Sequence, residues 1–295
     1  MAALLVLGSY NHDIVLTVPR FPRPGETLFG SGMASFHGGK GSNQAVQAAR
    51  CGASVAMRAC VGRDDAGDAA MALWAAEGIN AEDVMRDAQS PTGTAIITVD
   101  GAGENQIIVI SGANLALAAS TQIGAARVVL AQLETPVDAT IAAFRAARDA
   151  GAITILNAAP ASVAPSAVLL GLTDLLVVNL TEAQELTGVM AAPETLAMLL
   201  GARYPRGAVV TAGAAGAVWS VSGRAPVVVP AHVVRVVDTT GAGDSFTGAL
   251  AAALAQGMDM EPALRRASVA GGLACTVAGA VPSLARLDAI LAAGG

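Results

Sequence analysis

The chain has 295 residues, 54% of them hydrophobic, with a formal net charge of −6 and three cysteines. That length and apolar content suffice for a large α/β domain with a substantial core, while the negative balance argues against a nucleic-acid surface. Any phosphate it handles must therefore be held by local amides and a few cations. Cys51, Cys60 and Cys275 are an odd count in apolar settings, which suits reduced thiols in a cytoplasmic protein better than a disulfide framework.

In chain order, Ala3 to Leu7 reads as a first strand and not a signal peptide, because it is short, lacks a basic flank and runs directly into Gly8-Ser9-Tyr10-Asn11. His12 to Val18 and Thr27 to Phe36 alternate in the strand manner around the proline-rich turn Pro19 to Pro24. Ser42 to Arg50 is a helix stopped by Gly52, Ser54 to Ala59 a strand, and Gly67 to Glu77 a helix stopped by Gly78. Thr94 to Val99 and Gln106 to Ile110 flank Asp100-Gly101, a hairpin signal. Val128 to Leu133, Ile153 to Leu156, Leu175 to Val178 and Val209 to Thr211 are continuous apolar or β-branched strands. The helices Val137 to Ala150, stopped by Gly151, and Glu182 to Thr187, stopped by Gly188, alternate with them. Val233 to Val237 is strand-like and leads into the Ala/Leu-rich helical run Phe246 to Ala255. No apolar run is free enough of Gly, Pro or charge to span a membrane.

This order predicts an α/β fold with a doubly wound, mainly parallel sheet and helices on both faces. The expected core comprises residues 1–10, 37–92 and 112–295. Residues 11–36 and 93–111 are expected to form a small β-sheet lid over one edge, where it excludes water from a reaction.

The most informative stretch is Asp238-Thr239-Thr240-Gly241-Ala242-Gly243-Asp244-Ser245-Phe246, a glycine turn that places a carboxylate on the first turn of an apolar helix. A helix N-terminus offers free N–H donors and partial positive charge, which suit an anion. Asp244 fits two roles there: a helix cap, or a base that takes a proton from an attacking hydroxyl. A dinucleotide fingerprint starting at Gly241 would need glycine where Phe246 stands, and a Walker A loop ending at Gly39-Lys40 would need one where Ala34 stands. Gly-x-Ser-x-Gly is absent from the sequence, and His12, His37 and His232 lack metal-ligand spacing.

A second cluster is His37-Gly38-Gly39-Lys40-Gly41-Ser42-Asn43-Gln44-Ala45, which holds the single lysine among 17 basic residues. A compact ammonium in a glycine turn at a helix start points to binding. Asn11, Asp13 and Glu134 sit at other predicted strand ends, where ligands of open α/β sheets gather, so these residues are expected to converge on one polyol.

These motifs resemble the PfkB, or ribokinase-like, family of sugar kinases over nearly the whole chain. Gly38-Gly39-Lys40-Gly41-Ser42-Asn43-Gln44-Ala45 is similar to the first family signature and Asp238 to Asp244 to the second. Gln132-Leu133-Glu134, Asn157-Ala158-Ala159-Pro160-Ala161 and the Asn-x-x-Glu motif Asn179-Leu180-Thr181-Glu182 add to it. The resemblance implies an ATP-dependent phosphotransferase acting on the primary hydroxyl of D-ribose; fructose, a deoxyribose or a nucleoside is the alternative acceptor, and a non-catalytic sugar or nucleotide sensor the alternative class. It implies Asp244 as general base and Gly241, Ala242 and Gly243 as an anion hole. Asn11, Asp13, Gly39, Lys40, Asn43 and Glu134 are implied to hold the sugar. Asn179 and Glu182 are implied to organise Mg²⁺ and nucleotide phosphates, and Thr211 and Gly213 to contact the nucleotide. Asp238, Thr240, Ala274, Val277, Gly279 and Ser283 are the implied monovalent-cation site for K⁺. A homodimer formed through the lid sheet is implied as well. The chain departs from the family pattern at His37, where phenylalanine is usual, and at Leu180, which replaces an acidic residue.

Overall fold

The computed structural model describes residues 2–295. Among the described residues, the strands are β1 (Leu4–Leu7), β2 (Asn11–Thr17), β3 (Gly32–Gly38), β4 (Val55–Arg58), β5 (Cys60–Gly62), β6 (Met85–Asp87), β7 (Thr94–Val99), β8 (Asn105–Ile110), β9 (Val128–Ala131), β10 (Ile153–Asn157), β11 (Leu175–Asn179), β12 (Ala208–Thr211), β13 (Ala217–Ser220) and β14 (Val227–Val229). The helices are α1 (Lys40–Arg50), α2 (Asp65–Ala76), α3 (Val137–Asp149), α4 (Ala167–Gly171), α5 (Leu180–Thr187), α6 (Pro193–Gly201), α7 (Ala242–Ala255), α8 (Met260–Ala274), α9 (Ala280–Ser283) and α10 (Leu287–Ala292).

The main sheet has eight strands in the order β14-β13-β12-β11-β10-β9-β1-β4. All neighbours from β4 to β12 pair in parallel, and β13 and β14 add an antiparallel edge. The strands are unbroken apolar runs because both faces are covered. Successive residues divide between two core layers: Leu4, Val6, Val128 and Leu130 enter one, while Leu5, Leu7, Val129 and Ala131 enter the other. α1, α2, α7, α8 and α10 close the first layer, and α3, α4, α5 and α6 close the second. Side chains cap the starts of α2, α4 and α5. Asp64 accepts from the Gly67 N–H at 2.8 Å to cap α2, and Asn179 with Glu182 forms a reciprocal capping box on α5.

α1 and α7 pack unusually close. A β-carbon at Gly248 would lie 2.5 Å from the Gln44 carbonyl oxygen and 2.9 Å from Gln47 Cβ, so only glycine permits this separation. The approach brings the first turn of α1 against the first turn of α7, where Asp244 sits.

A second sheet, ordered β3-β2-β7-β8, consists of two antiparallel hairpins joined by a parallel β2–β7 pair. Its outer strand β8 leaves Ile107, Ile108, Val109 and Ile110 exposed. A short parallel pair, β5 with β6, stands apart from both sheets. Among the described residues no helix is long and apolar enough to cross a membrane.

Two expected strands differ. Residues 27–31 lie outside any strand: the ladder begins at Gly32, opposite Thr17, because β2 ends there and the chain turns toward Pro19. Val233 to Val237 carries strand-favouring side chains but has no ladder partner, its Val237 N–H bonding only to the Cys275 carbonyl at 2.8 Å. Val233, Val236 and Val237 are exposed, and the segment forms the wall of a cleft instead.

Candidate active site

The polar residues at the strand ends share one edge. Asn11 and Asp13 follow β1, Glu134 follows β9, and Asn157, Asn179 and Thr211 end β10, β11 and β12, so all lie at the carboxyl edge of the parallel strands.

Asp244 lies in the first turn of α7 and is buried. Both carboxylate oxygens are held by adjacent residues of α1: Asn43 donates to Oδ2 at 2.9 Å and Gln44 donates to Oδ1 at 2.8 Å. Gln44 also donates to Asn157 Oδ1 at 2.9 Å and accepts from Gln132 Nε2 at 2.7 Å, and Asn157 donates to the Val177 carbonyl at 3.1 Å. Asn43 is buried with its Oδ1 unpaired, an acceptor left for a donor from outside the protein.

Gly241 precedes α7 with φ 79°, and a β-carbon there would meet the Ala280 backbone at 3.2 Å. The Ala242 N–H closes this turn on the Thr239 carbonyl at 3.2 Å. Gly241 and Gly243 line the same cavity as Asp244, whereas Ala242 lines the neighbouring one.

That cavity, of about 250 Å³, also carries Lys40, Asn157, Asn179, Glu182 and Thr211. Burial pulls the Lys40 ammonium down, but the carboxylates of Asp244, Glu134 and Glu182 outweigh it and hold the group above its ordinary value. Glu182 is raised, chiefly by burial and against the opposing N–H of Asn179 and charge of Lys40. Asp13 is pushed up to about 7 by burial and by the charges of Glu134 and Asp244. Glu134 accepts from the Ser9 hydroxyl and, at 3.0 Å, from the Lys40 N–H, which ties β9 to the start of α1. Gly39 is the residue immediately before α1.

Thr211, Thr239 and Gly243 also line a second cavity of about 440 Å³, so the two form one cleft. Its other walls are mainly apolar or small: Gly213, Ala231, Val233, Val234, Val236, Phe246 and Gly272. Two of its hydroxyl groups are already committed, Ser268 to the Pro230 carbonyl at 2.7 Å and Thr211 to the Val178 carbonyl at 3.4 Å.

Asp238 links two loops. It accepts from the Thr240 N–H at 2.9 Å, from the Thr240 hydroxyl at 2.7 Å and from the Gly279 N–H at 2.8 Å. Though burial acts upward, these bonds leave its carboxyl below the usual range. Ser283 is buried in α9 and donates to the Ala280 carbonyl at 2.7 Å. Ala274 ends α8, and Val277 lies in the loop between α8 and α9.

Of the expected residues, Lys40, Asn179, Glu182, Thr211, Gly213, Gly241, Ala242, Gly243 and Asp244 line the cleft, and Asn43 and Glu134 adjoin it through their bonds to Asp244 and the Lys40 N–H. Asn11, Asp13 and Gly39 line neither cavity, and Asp238 ties the loop beside the cleft to Gly279. Sequence reasoning assigned no role to Gln44, Gln132, Asn157 or Asn114. The available signal was an amide at the end of an apolar strand or beside Asn43, positions where a side chain is buried and must be paired.

A buried carboxylate beside helix-terminal amides, with a lysine and a two-chambered cleft, defines a phosphotransferase that acts on an alcohol. The sequence pattern described as pfkB family carbohydrate kinase matches residues 1–286, and the chain belongs to that family. It is 38% identical over 291 residues to the ribokinase of Haemophilus influenzae, covering 95% of this chain and 94% of that protein. It is 40% identical over 305 residues to the bifunctional ribokinase/ribose-5-phosphate isomerase A of Fructilactobacillus sanfranciscensis, covering 99% of this chain and 56% of that one. The solved structure of Arabidopsis thaliana ribokinase complexed with ribose and ATP superimposes with a TM-score of 0.92 at 30% identity, covering 99% of this chain and 98% of that one.

Proposed function

We propose that this carbohydrate kinase transfers the γ-phosphoryl group of ATP to the primary hydroxyl of D-ribose, giving ribose 5-phosphate and ADP. The observation that carries this reading is the Asp244 carboxylate, fixed through both oxygens in the cavity that Lys40, Gly241 and Gly243 also line. Relatives named ribokinase, and a neighbour holding ribose and ATP, support the choice of substrates.

The sugar oxygen forms a bond to the γ-phosphorus as the bond from that phosphorus to the β–γ bridging oxygen breaks. The electron pair leaves with ADP, and the hydroxyl proton passes to Asp244. The N–H groups of Gly241 and Gly243 meet the charge on the transferring group, and Lys40 adds a positive charge at close range. Ala242 contributes through the shape of the turn, since its N–H is committed to Thr239. On the sugar, Asn43 Oδ1 and the carboxylates of Asp13 and Glu134 accept from hydroxyls, and Asn11 adds an amide beside Gly39. Thr211 and Gly213 border the apolar chamber, which suits a nucleobase.

When bound with the nucleotide, Mg²⁺ would neutralise phosphate charge, and Asn179 and Glu182 would hold it through water. Glu182 commits Oε2 to the Asn179 N–H at 2.8 Å and keeps Oε1 for a hydrated ion. Among the described residues no three acidic, His or Cys side chains gather as a direct metal site, which is compatible with an ion carried by phosphates and water. K⁺ fits the loop joined by Asp238, with Thr240, Ala274, Val277, Gly279 and Ser283 offering mostly carbonyl oxygens. Equal rates in potassium and in tetramethylammonium would remove that assignment.

We further assign segments 11–36 and 93–111 as a lid, and its exposed edge β8 as the pairing edge of a homodimer. The free thiols of Cys51, Cys60 and Cys275 suit the cytoplasm. A coupled ADP-release assay across pentoses, hexoses and nucleosides tests the central reading. Turnover greatest with ribose is expected; a preference for fructose, a deoxyribose or a nucleoside would reassign the acceptor, and no sugar-dependent turnover would leave a sensor.

A further inference from the structure

We infer that Gln44 is a positioning residue for the general base, a role that rests on the reading of Asp244 above. The side chain is fully buried among three partners, with both of its N–H groups and its carbonyl oxygen hydrogen-bonded. One N–H goes to Asp244 Oδ1 at 2.8 Å, the other to Asn157 Oδ1 at 2.9 Å, and the carbonyl oxygen accepts from Gln132 Nε2 at 2.7 Å.

The orientation of this amide is forced. Asn157 donates to the Val177 carbonyl, which can only accept, so Asn157 must turn its own oxygen toward Gln44. The carboxylate of Asp244 also only accepts when ionised. Reversing Gln44 would set its oxygen against both acceptors and its NH₂ against the NH₂ of Gln132. The chain of amides from Gln132 through Gln44 therefore ends on Asp244 with one N–H of Gln44 aimed at Oδ1. Asn43 holds the second oxygen at 2.9 Å but keeps its own Oδ1 free, so it serves substrate and base together. Gln44 serves the base alone. The charged groups acting on Asp244 are Lys40, Asp13 and Glu182, none of which replaces a lost N–H at Oδ1.

The test is single-turnover ADP formation against pH for Gln44→Met, which keeps length and removes the donor. The expected result is a ten- to hundred-fold lower rate, KM for ATP within twofold, and the acid limb of the profile moved about one pH unit upward, because the ionised carboxylate has lost a hydrogen bond. A role confined to packing would lower the melting temperature and leave the limb in place. Should Gln44→Met fail to fold, Gln132→Met is read instead: it leaves the Gln44 oxygen without its partner, so the amide is held less firmly, and the limb moves the same way by a smaller amount. An unmoved limb and unchanged rate in the folded variant overturn the inference. Asp244→Asn run alongside separates the two claims. If it retains turnover, the base assignment falls; if it is inactive while Gln44→Met and Gln132→Met behave as the parent, only the role of Gln44 falls.

Discussion

Asn114 Nδ2 lies 2.9 Å from Asn11 Oδ1 and 2.9 Å from the Tyr10 carbonyl, while Asn114 Oδ1 accepts from the Tyr10 N–H at 3.0 Å. With its oxygen occupied, Asn11 has its NH₂ left to offer, so it reads an acceptor on the ligand. Asn114→Asp keeps the Tyr10 N–H partner but withdraws both donors, and Asn11 is then free to rotate. Loss of one well-formed bond is worth about 1 kcal/mol, so KM for the sugar is expected to rise roughly fivefold, with KM for ATP unchanged. Steady-state kinetics with each substrate varied in turn checks it.

Asp244→Asn removes the base at constant size. Sugar binding by calorimetry is expected to persist, because the substitution conserves size and the new amide oxygen still accepts from Gln44. Single-turnover rates are expected to fall about 10²- to 10⁴-fold. Near-normal turnover in this variant would refute the assignment of the base.

Asp13 binds its proton more tightly in the folded chain, at about 7, than the ordinary value of 3.8. Between those pH values the folded state holds a proton that the unfolded state has released, so this group lowers stability as pH rises through the window, and the loss is complete above 7. Asp13→Asn is therefore expected to melt several degrees higher than the parent at pH 8 and close to it at pH 4, while sugar affinity drops. Melting curves at the two pH values decide; an equal difference at both would show that Asp13 is not the titrating group.

Arg50 donates to the carbonyls of Val281 and Leu284 at 2.8 and 2.7 Å and pairs with Glu77, whose side chain is 9% exposed. Arg50→Met strands that carboxylate with only the outlying Arg286 at 3.6 Å, and breaking a buried pair on one side costs about 3–5 kcal/mol. A large drop in denaturation midpoint is expected, partly recovered in Arg50→Met/Glu77→Met. A double variant no more stable than the single one would show that Glu77 is not the stranded charge.

Much of this arrangement was legible in the sequence, because periodicity and turn chemistry dominate where both faces of a strand are covered. The runs at Leu4, Val128, Leu175 and Val209 each became central strands, and the glycine turn before Asp244 became a helix start. Val233 to Val237 misled for a physical reason: β-branched residues favour extended chain, but a strand also needs a neighbour, and none adjoins this segment. The amide lattice behind Asp244 was out of reach for a different reason. Gln44 is identified by three contacts with residues 88, 113 and 200 positions away, and no local pattern encodes such distances.

The glycine at 248 has an implication for how this scaffold diversifies. It welds the two helices that carry proton transfer and anion recognition into one unyielding block, whereas Asn11 and Asp13 ride on β2, a strand of the outlying sheet. Under the proposed roles, altering that outlying layer would retune the choice of alcohol while leaving the reactive machinery untouched.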